Sequence, residues 1–136
     1  MIEVNNLTNF AVNKSYFIGV AKKVLSGENK KKENVSIAFV SPAEIQKLNK
    51  QFRKKDKPTD VLSFEKNSDF TEEYVEVVIC PAVVREQSTN SPLPLKKELA
   101  KMLIHGILHT LGYDHERSAK EAEQMQKKEA LYFSKL

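Results

Sequence analysis

The stretch LKKELAKMLIHGILHTLGYDH, Leu95 to His115, decides how this chain folds. Its apolar residues fall at Leu95, Leu99, Met102, Leu103, Ile104, Ile107, Leu108 and Leu111. That spacing predicts a helix from Leu95 to Leu111, and apolar side chains on nearly all sides predict one enclosed by other elements. The same stretch holds all three histidines of the chain, His105, His109 and His115. His105 and His109 are four apart and therefore stand one turn above another on one helix face. Gly112, with no Cβ penalty, is placed to end the helix in the left-handed conformation, so that His115 can swing back toward the pair.

Imidazoles in that arrangement suit a divalent ion held at about 2.0–2.1 Å from each nitrogen, with a fourth position left for water. A lone histidine on an apolar helix is usually a satisfied core group. Three at this spacing, with a helix-ending glycine at the bend, favour metal. Zinc, one ion per chain, is the expected cofactor; nickel, cobalt and copper are the competitors in vitro. No thiolate joins the cluster, which favours a catalytic over a purely structural ion. The spacing matches the extended zinc-protease pattern H-E-x-x-H-x-x-G-x-x-H, but Gly106 stands where the glutamate general base belongs. Glycine inside a helix costs about 1 kcal/mol relative to alanine, so a packed neighbour or a substrate is expected close to the backbone there. The pattern speaks for a hydrolase and against an ordinary peptidase.

Outward from this helix, the chain alternates strands and helices. Ile2–Asn5 reads as a first strand. Tyr16, Phe17, Val20, Ala21 and Val24 give a helix over Val12–Leu25 with Gly27 as its stop, followed by a solvated loop from Glu28 to Asn34. Val35, Ile37 and Phe39 mark a second strand. Ser41-Pro42-Ala43-Glu44 is a capping box with proline at the first helical position, in which Ser41 accepts the Glu44 amide and the Glu44 carboxylate returns to the Ser41 amide. Ile45, Leu48 and Phe52 form the buried face of that helix, which ends at Lys55 to Pro58. Val61–Phe64 and Tyr74–Cys80 read as strands, Pro81–Gln87 as a short helix, and Ser91–Pro94 as a rigid connection. A final helix, Ser118–Ser134, turns Ala122, Met125, Ala130 and Phe133 inward. The order predicts an α+β fold, with about five helices against a small four-stranded sheet.

With 136 residues, 40% of them hydrophobic, the chain is expected to form one domain, 1–136, and not to be disordered. The single Cys80 reads as a buried strand thiol in a reducing compartment. No secretory leader and no apolar run near the roughly 20 residues of a membrane span is evident, so a cytoplasmic protein without membrane contact is expected. The formal net charge is +4, concentrated at Lys30–Lys32, at Arg53, Lys54, Lys55 and Lys57, and at Lys96, Lys97 and Lys101. A basic excess of this size is by itself an ordinary solvated surface; beside a reaction site it becomes a means of holding a polyanion.

HGILHTLGYDH, His105 to His115, and LNKQFRKKDKPTDVLSF, Leu48 to Phe64, together resemble the YbeY family of metal-dependent endoribonucleases. VVICP, Val77 to Pro81, and the region of Met125 resemble it more loosely. The resemblance implies a zincin-like fold with a mixed sheet, zinc ligands at His105, His109 and His115, and a functional arginine at Arg53. It also implies maturation of the small-subunit rRNA 3′ end and ribosome quality control, with ribosome or small-subunit assembly components as partners and no DNA substrate. Val75-Glu76 departs from the Gly-Asp pair common in that family, so Glu76 is expected to reach the cleft from a different depth.

On this reading a metal-activated nucleophile attacks a phosphodiester of single-stranded RNA, with His109 and Arg53 as the catalytic residues. The guanidinium of Arg53 suits two phosphate oxygens. Arg53, Lys55, Lys57 and Ser63 are the expected substrate contacts, with Lys54 tracking the backbone. Thr59 and Asp60 either line the cleft or shape a turn, and Asp114 either orients an imidazole or forms a turn. Tyr113 packs or donates to phosphate; Met125 is core or a floor under the metal. Attack by metal hydroxide and metal-assisted attack by the 2′-hydroxyl call for similar residues, so the product ends stay open. Two other functions fit parts of the pattern: a metallopeptidase with a different base, and a zinc-stabilised RNA-binding or ribosome-assembly module.

Overall fold

In the computed structural model, which describes residues 1–71 and 73–136, the strands are β1 (Ile2–Asn6), β2 (Val35–Phe39), β3 (Val61–Phe64) and β4 (Val75–Ile79). The helices are α1 (Lys14–Gly27), α2 (Pro42–Arg53), α3 (Pro81–Gln87), α4 (Leu95–Thr110) and α5 (Ala119–Ser134). The strands lie in the order β1-β2-β4-β3, with β1, β2 and β4 parallel and β3 antiparallel at the edge. This is the expected small mixed sheet with five helices. Among the described residues, no helix is long and apolar enough to cross a membrane.

The period of two in the strands sorts their side chains between two layers. Val4, Val35, Ile37, Phe39, Val75, Val77 and Ile79 join α1 and α4 in the larger core. Ala38, Val40, Leu62, Phe64, Val78 and Cys80 face the other way, against Ile45 of α2. Covered on both sides, β4 is buried along its whole length.

The capping chemistry follows the sequence in half. Ser41 Oγ accepts the Glu44 amide at 3.2 Å, whereas the Glu44 carboxylate lies 3.9 Å from Lys47 Nζ instead of returning to Ser41. Gly27 is the last residue of α1, as expected of its stop, but its φ is not positive; glycine is needed there because an added Cβ would run into the ring of Tyr132. Tyr132, absent from the expected face of α5, is buried, and Ala130, expected inside, is exposed. Glu28 is not solvated either. Its carboxylate accepts from Tyr113 Oη at 2.8 Å and from Tyr132 Oη, and it pairs with Lys128 Nζ at 3.2 Å. Cys80 is buried as expected, though it stands one residue past β4, as the N-cap of α3.

Candidate metal centre and RNA-facing edge

α4 lies across the sheet and carries His105 and His109 toward the edge strand β3. Its end is a Schellman motif: Tyr113 N donates to Leu108 O at 3.2 Å and Gly112 N to His109 O at 3.2 Å. Gly112 has φ +108°, which explains the glycine. The turn beyond it is knitted by Asp114 and Arg117. Asp114 Oδ1 accepts the Glu116 amide at 2.7 Å, and its other oxygen lies 3.2 Å from Arg117 Nε. Arg117 Nη2 also donates to Gly112 O at 3.0 Å. Asp114 is thus the turn-former of its two expected roles. Tyr113 donates its hydroxyl to Glu28 Oε1 at 2.8 Å.

The turn returns His115 to its partners. Its ring centroid lies 5.2 Å from that of His105 and 6.3 Å from that of His109. Imidazoles sharing a tetrahedral ion at about 2.0–2.1 Å have centroids about 5 Å apart, so the His105–His115 spacing fits a shared ion and the His109–His115 spacing exceeds it. The trio is not closed: among the described residues, no three His, Cys, Asp or Glu side chains stand ready to hold an ion. His115 Nε2 lies 3.8 Å from Glu116 Oε1 on an exposed part of the turn. The two helix-borne imidazoles are held from behind. His105 Nδ1 lies 3.2 Å from Glu129 Oε2, and His109 Nδ1 lies 3.5 Å from Ser63 Oγ. Each therefore has Nε2 left for a ligand, and the donor set of three nitrogens fits zinc. Burial first, then the neighbouring His105, holds the His109 pKa below its usual value. That direction favours the neutral form, which offers a lone pair.

Gly106 turns away from this site into the core. A Cβ there would lie 2.8 Å from Val77 Cγ1 on β4, so the close approach is by a packed neighbour. The position that carries the general base in zinc peptidases is occupied here by helix–sheet contact.

Arg53 reaches the same edge from the other layer. It is the last residue of α2, and Lys54, at φ 61°, caps the helix in the left-handed region. Arg53 Nη2 donates to Ser63 O at 2.7 Å, and its guanidinium carbon lies 4.9 Å from the Phe64 ring centroid. Phe64 is itself stacked on Phe70 at 4.3 Å and edge-on to Phe52 at 5.4 Å. Ser63 thus links the two halves of the site, its carbonyl to Arg53 and its hydroxyl to His109.

Lys55 and Lys57 are exposed on a loop pinned by buried Asn49, whose Nδ2 donates to Lys57 O at 2.9 Å and whose carbonyl accepts the Lys55 amide at 3.2 Å. Asp60 serves its own turn: its carboxylate accepts the Val61 amide at 2.8 Å and the Thr59 hydroxyl at 3.3 Å. Met125 is core.

Glu76 overturns an expectation. It points from β4 to the sheet face opposite α4, in the cross-strand row Glu3–Ser36–Glu76–Phe64, and so does not shape the metal cleft. Glu129, Asn49 and Glu28 are supports that the sequence reading missed. Glu129 had a signal: with Met125 and Tyr132 it falls at helical spacing on one face of α5, an acid in an otherwise buried stripe.

A family model described as Endoribonuclease YbeY matches residues 3–136. The Endoribonuclease YbeY of Persephonella marina is 40% identical over 119 residues, covering 85% of this chain and 78% of that protein. That of Thermotoga neapolitana is 43% identical, covering 73% of this chain and 64% of its own length, a little under two thirds. The solution structure of TM1509 from Thermotoga maritima is 32% identical, with a TM-score of 0.70 over 98% of this chain and 87% of that one.

Proposed function

This chain belongs to the Endoribonuclease YbeY family, and from that premise we propose that it is a zinc-dependent, single-strand-specific endoribonuclease. Its work in the cytoplasm is maturation of the small-subunit rRNA 3′ end and ribosome quality control, beside ribosome assembly components. One observation carries the chemical reading: Ser63 joins a cation suited to phosphate, Arg53, to an imidazole of the histidine trio, His109.

His105, His109 and His115 would hold the ion. When bound, it supplies a water acidified to near neutrality and a Lewis acid for a phosphate oxygen. The chain supplies the rest. Arg53, steadied by the Ser63 carbonyl and the Phe64 face, presents its remaining N–H groups to phosphate oxygens and to the charge that grows on them during displacement. Lys55 and Lys57 hold the flanking backbone by a salt-dependent attraction, and the Asn49 contacts keep their loop in place before RNA arrives. Ser63 keeps the His109 ring turned to the edge and offers its hydroxyl to substrate. The edge position of β3 leaves room for an extended strand of RNA. Gly106, packed on Val77, supports a nuclease over a peptidase, since the peptidase base has no place there.

Incubation of the zinc-loaded protein with unstructured RNA, single-stranded DNA and peptide tests the reading. RNA alone is cut, and chelation, His109→Ala or Arg53→Ala each stops the cutting while circular dichroism reports a folded chain. Peptide cleavage with RNA intact would make the protein a peptidase. RNA bound yet uncut at every zinc load, with melting on chelation, would make it an assembly module.

A further inference from the structure

Building on the zinc reading, we infer that Glu129 of α5 is the positioning residue of His105, fixing its proton on Nδ1 and so presenting Nε2 to the ligand site. Glu129 Oε2 lies 3.2 Å from His105 Nδ1, and both side chains are about two-thirds buried. An ionised carboxylate only accepts, so the shared proton must come from the ring. Once Nδ1 carries it, the lone pair of the neutral imidazole is on Nε2.

The lysines around Glu129 are engaged elsewhere. Lys128 pairs with Glu28 at 3.2 Å, Lys127 with Glu123 at 3.2 Å, and Lys101 with Glu98 at 3.6 Å. Among the described residues, the imidazole is the ionic partner recorded for Glu129. The placement also follows from the fold. Met125 and Tyr132 bury α5 on its inner side, and Glu129, between them on the same stripe, is carried to the helix α4 that bears His105. His109 has Ser63 at the corresponding nitrogen. Both helix-borne rings are therefore braced through Nδ1, one from α5 and one from β3, while His115 stands on an exposed turn. A simple α4–α5 pin would require no particular tautomer, and that difference is measurable.

The test uses the full metal-free chain as wild type, Glu129→Gln and Glu129→Ala. Long-range proton–nitrogen spectra identify the protonated nitrogen of His105, and competition with a chromophoric chelator gives zinc affinity. The wild type is expected to hold the His105 proton on Nδ1. The alanine variant should mix tautomers and bind zinc roughly 10–100-fold more weakly. Glutamine, whose amide oxygen still accepts, should keep the tautomer and recover most of the affinity. A wild-type proton on Nε2, or an alanine variant with wild-type zinc affinity, overturns the assignment. Should alanine prevent folding, Glu129→Asp replaces it: its shorter reach must weaken zinc, and unchanged affinity overturns the assignment equally. A wild type that takes up no zinc sinks the metal reading instead, and the tautomer spectrum still decides the role of Glu129.

Discussion

The guanidinium of Arg53 donates to the backbone carbonyl of Ser63 at 2.7 Å. The contact joins the end of α2 to the edge strand. Because the partner is a main-chain oxygen, no side-chain substitution at position 63 removes it.

Arg53→Lys keeps the charge but loses the planar fork. RNA cleavage should fall by about 10²–10³-fold, the range found on removing one preorganised donor to a transition-state oxyanion. Thermal stability should move little, since the side chain is exposed. Single-turnover kinetics beside a melting curve separate the two effects; a large loss of melting temperature with unchanged turnover would reassign Arg53 to structure.

Gly106→Ala should destabilise the fold even though alanine is the better helix former by about 1 kcal/mol. The added methyl would sit 2.8 Å from Val77 Cγ1 in a fully buried layer, and overpacking of this kind costs typically about 1–3 kcal/mol. In a double-mutant cycle with Val77→Ala, the second change should recover part of the loss. Strict additivity in urea denaturation would mean that the two positions do not press on each other.

Glu76 predicts a pH dependence. Burial, opposed by the Ser36 hydroxyl and reinforced by Glu3, pushes its carboxyl up to about 7, and its Oε2 is buried without a hydrogen-bond partner. Because the folded pKa lies above the ordinary value of 4.5, the folded chain holds a proton that the unfolded chain releases, and stability falls as pH rises between those two values. Glu76→Gln should stabilise by roughly 1–2 kcal/mol at alkaline pH, after discounting for incomplete burial, and by almost nothing below the lower value. Equal melting shifts at both ends of that range would refute the titration.

Glu28 behaves oppositely. Burial raises its pKa, but hydrogen bonds from Tyr132 and Tyr113 and the charge of Lys128 outweigh it, leaving the carboxyl below its usual value. Its stabilising contribution is present above the unfolded value and is lost as pH falls through the folded one. Glu28→Gln should cost roughly 2 kcal/mol near neutrality, as expected for hydrogen bonds to a charged group. It should also loosen the turn that carries His115, because Tyr113 is part of that turn. Hydrogen exchange at residues 112–117 measures the second effect, and protection equal to wild type would exclude it.

Elements announced by period and caps were legible in advance: β2, β3, α3 and the Ser41 cap lie where apolar alternation and Ser-Pro-x-Glu place them. Gly27 does end α1, but glycine has two uses that look alike in a sequence, a left-handed turn and a close approach. Here Tyr132, 105 positions later, made it the second. Ala130 and Tyr132 were exchanged for a related reason. Which side of α5 faces inward is set by α4 and Glu28, not by α5's own composition.

By itself the amino-acid order determined the α+β element plan, the histidine helix, the glycine that ends it and the absence of a peptidase-type base, because each depends on residues within about one helical turn of each other. Only the tertiary structure decided that Ser63 stands between Arg53 and His109, that Glu129 backs His105, that Val77 is what Gly106 accommodates, and that Glu76 faces away from the site. Those relationships join residues far apart in the chain, and they arise from the register of strands and the facing of helices, which no local spacing encodes.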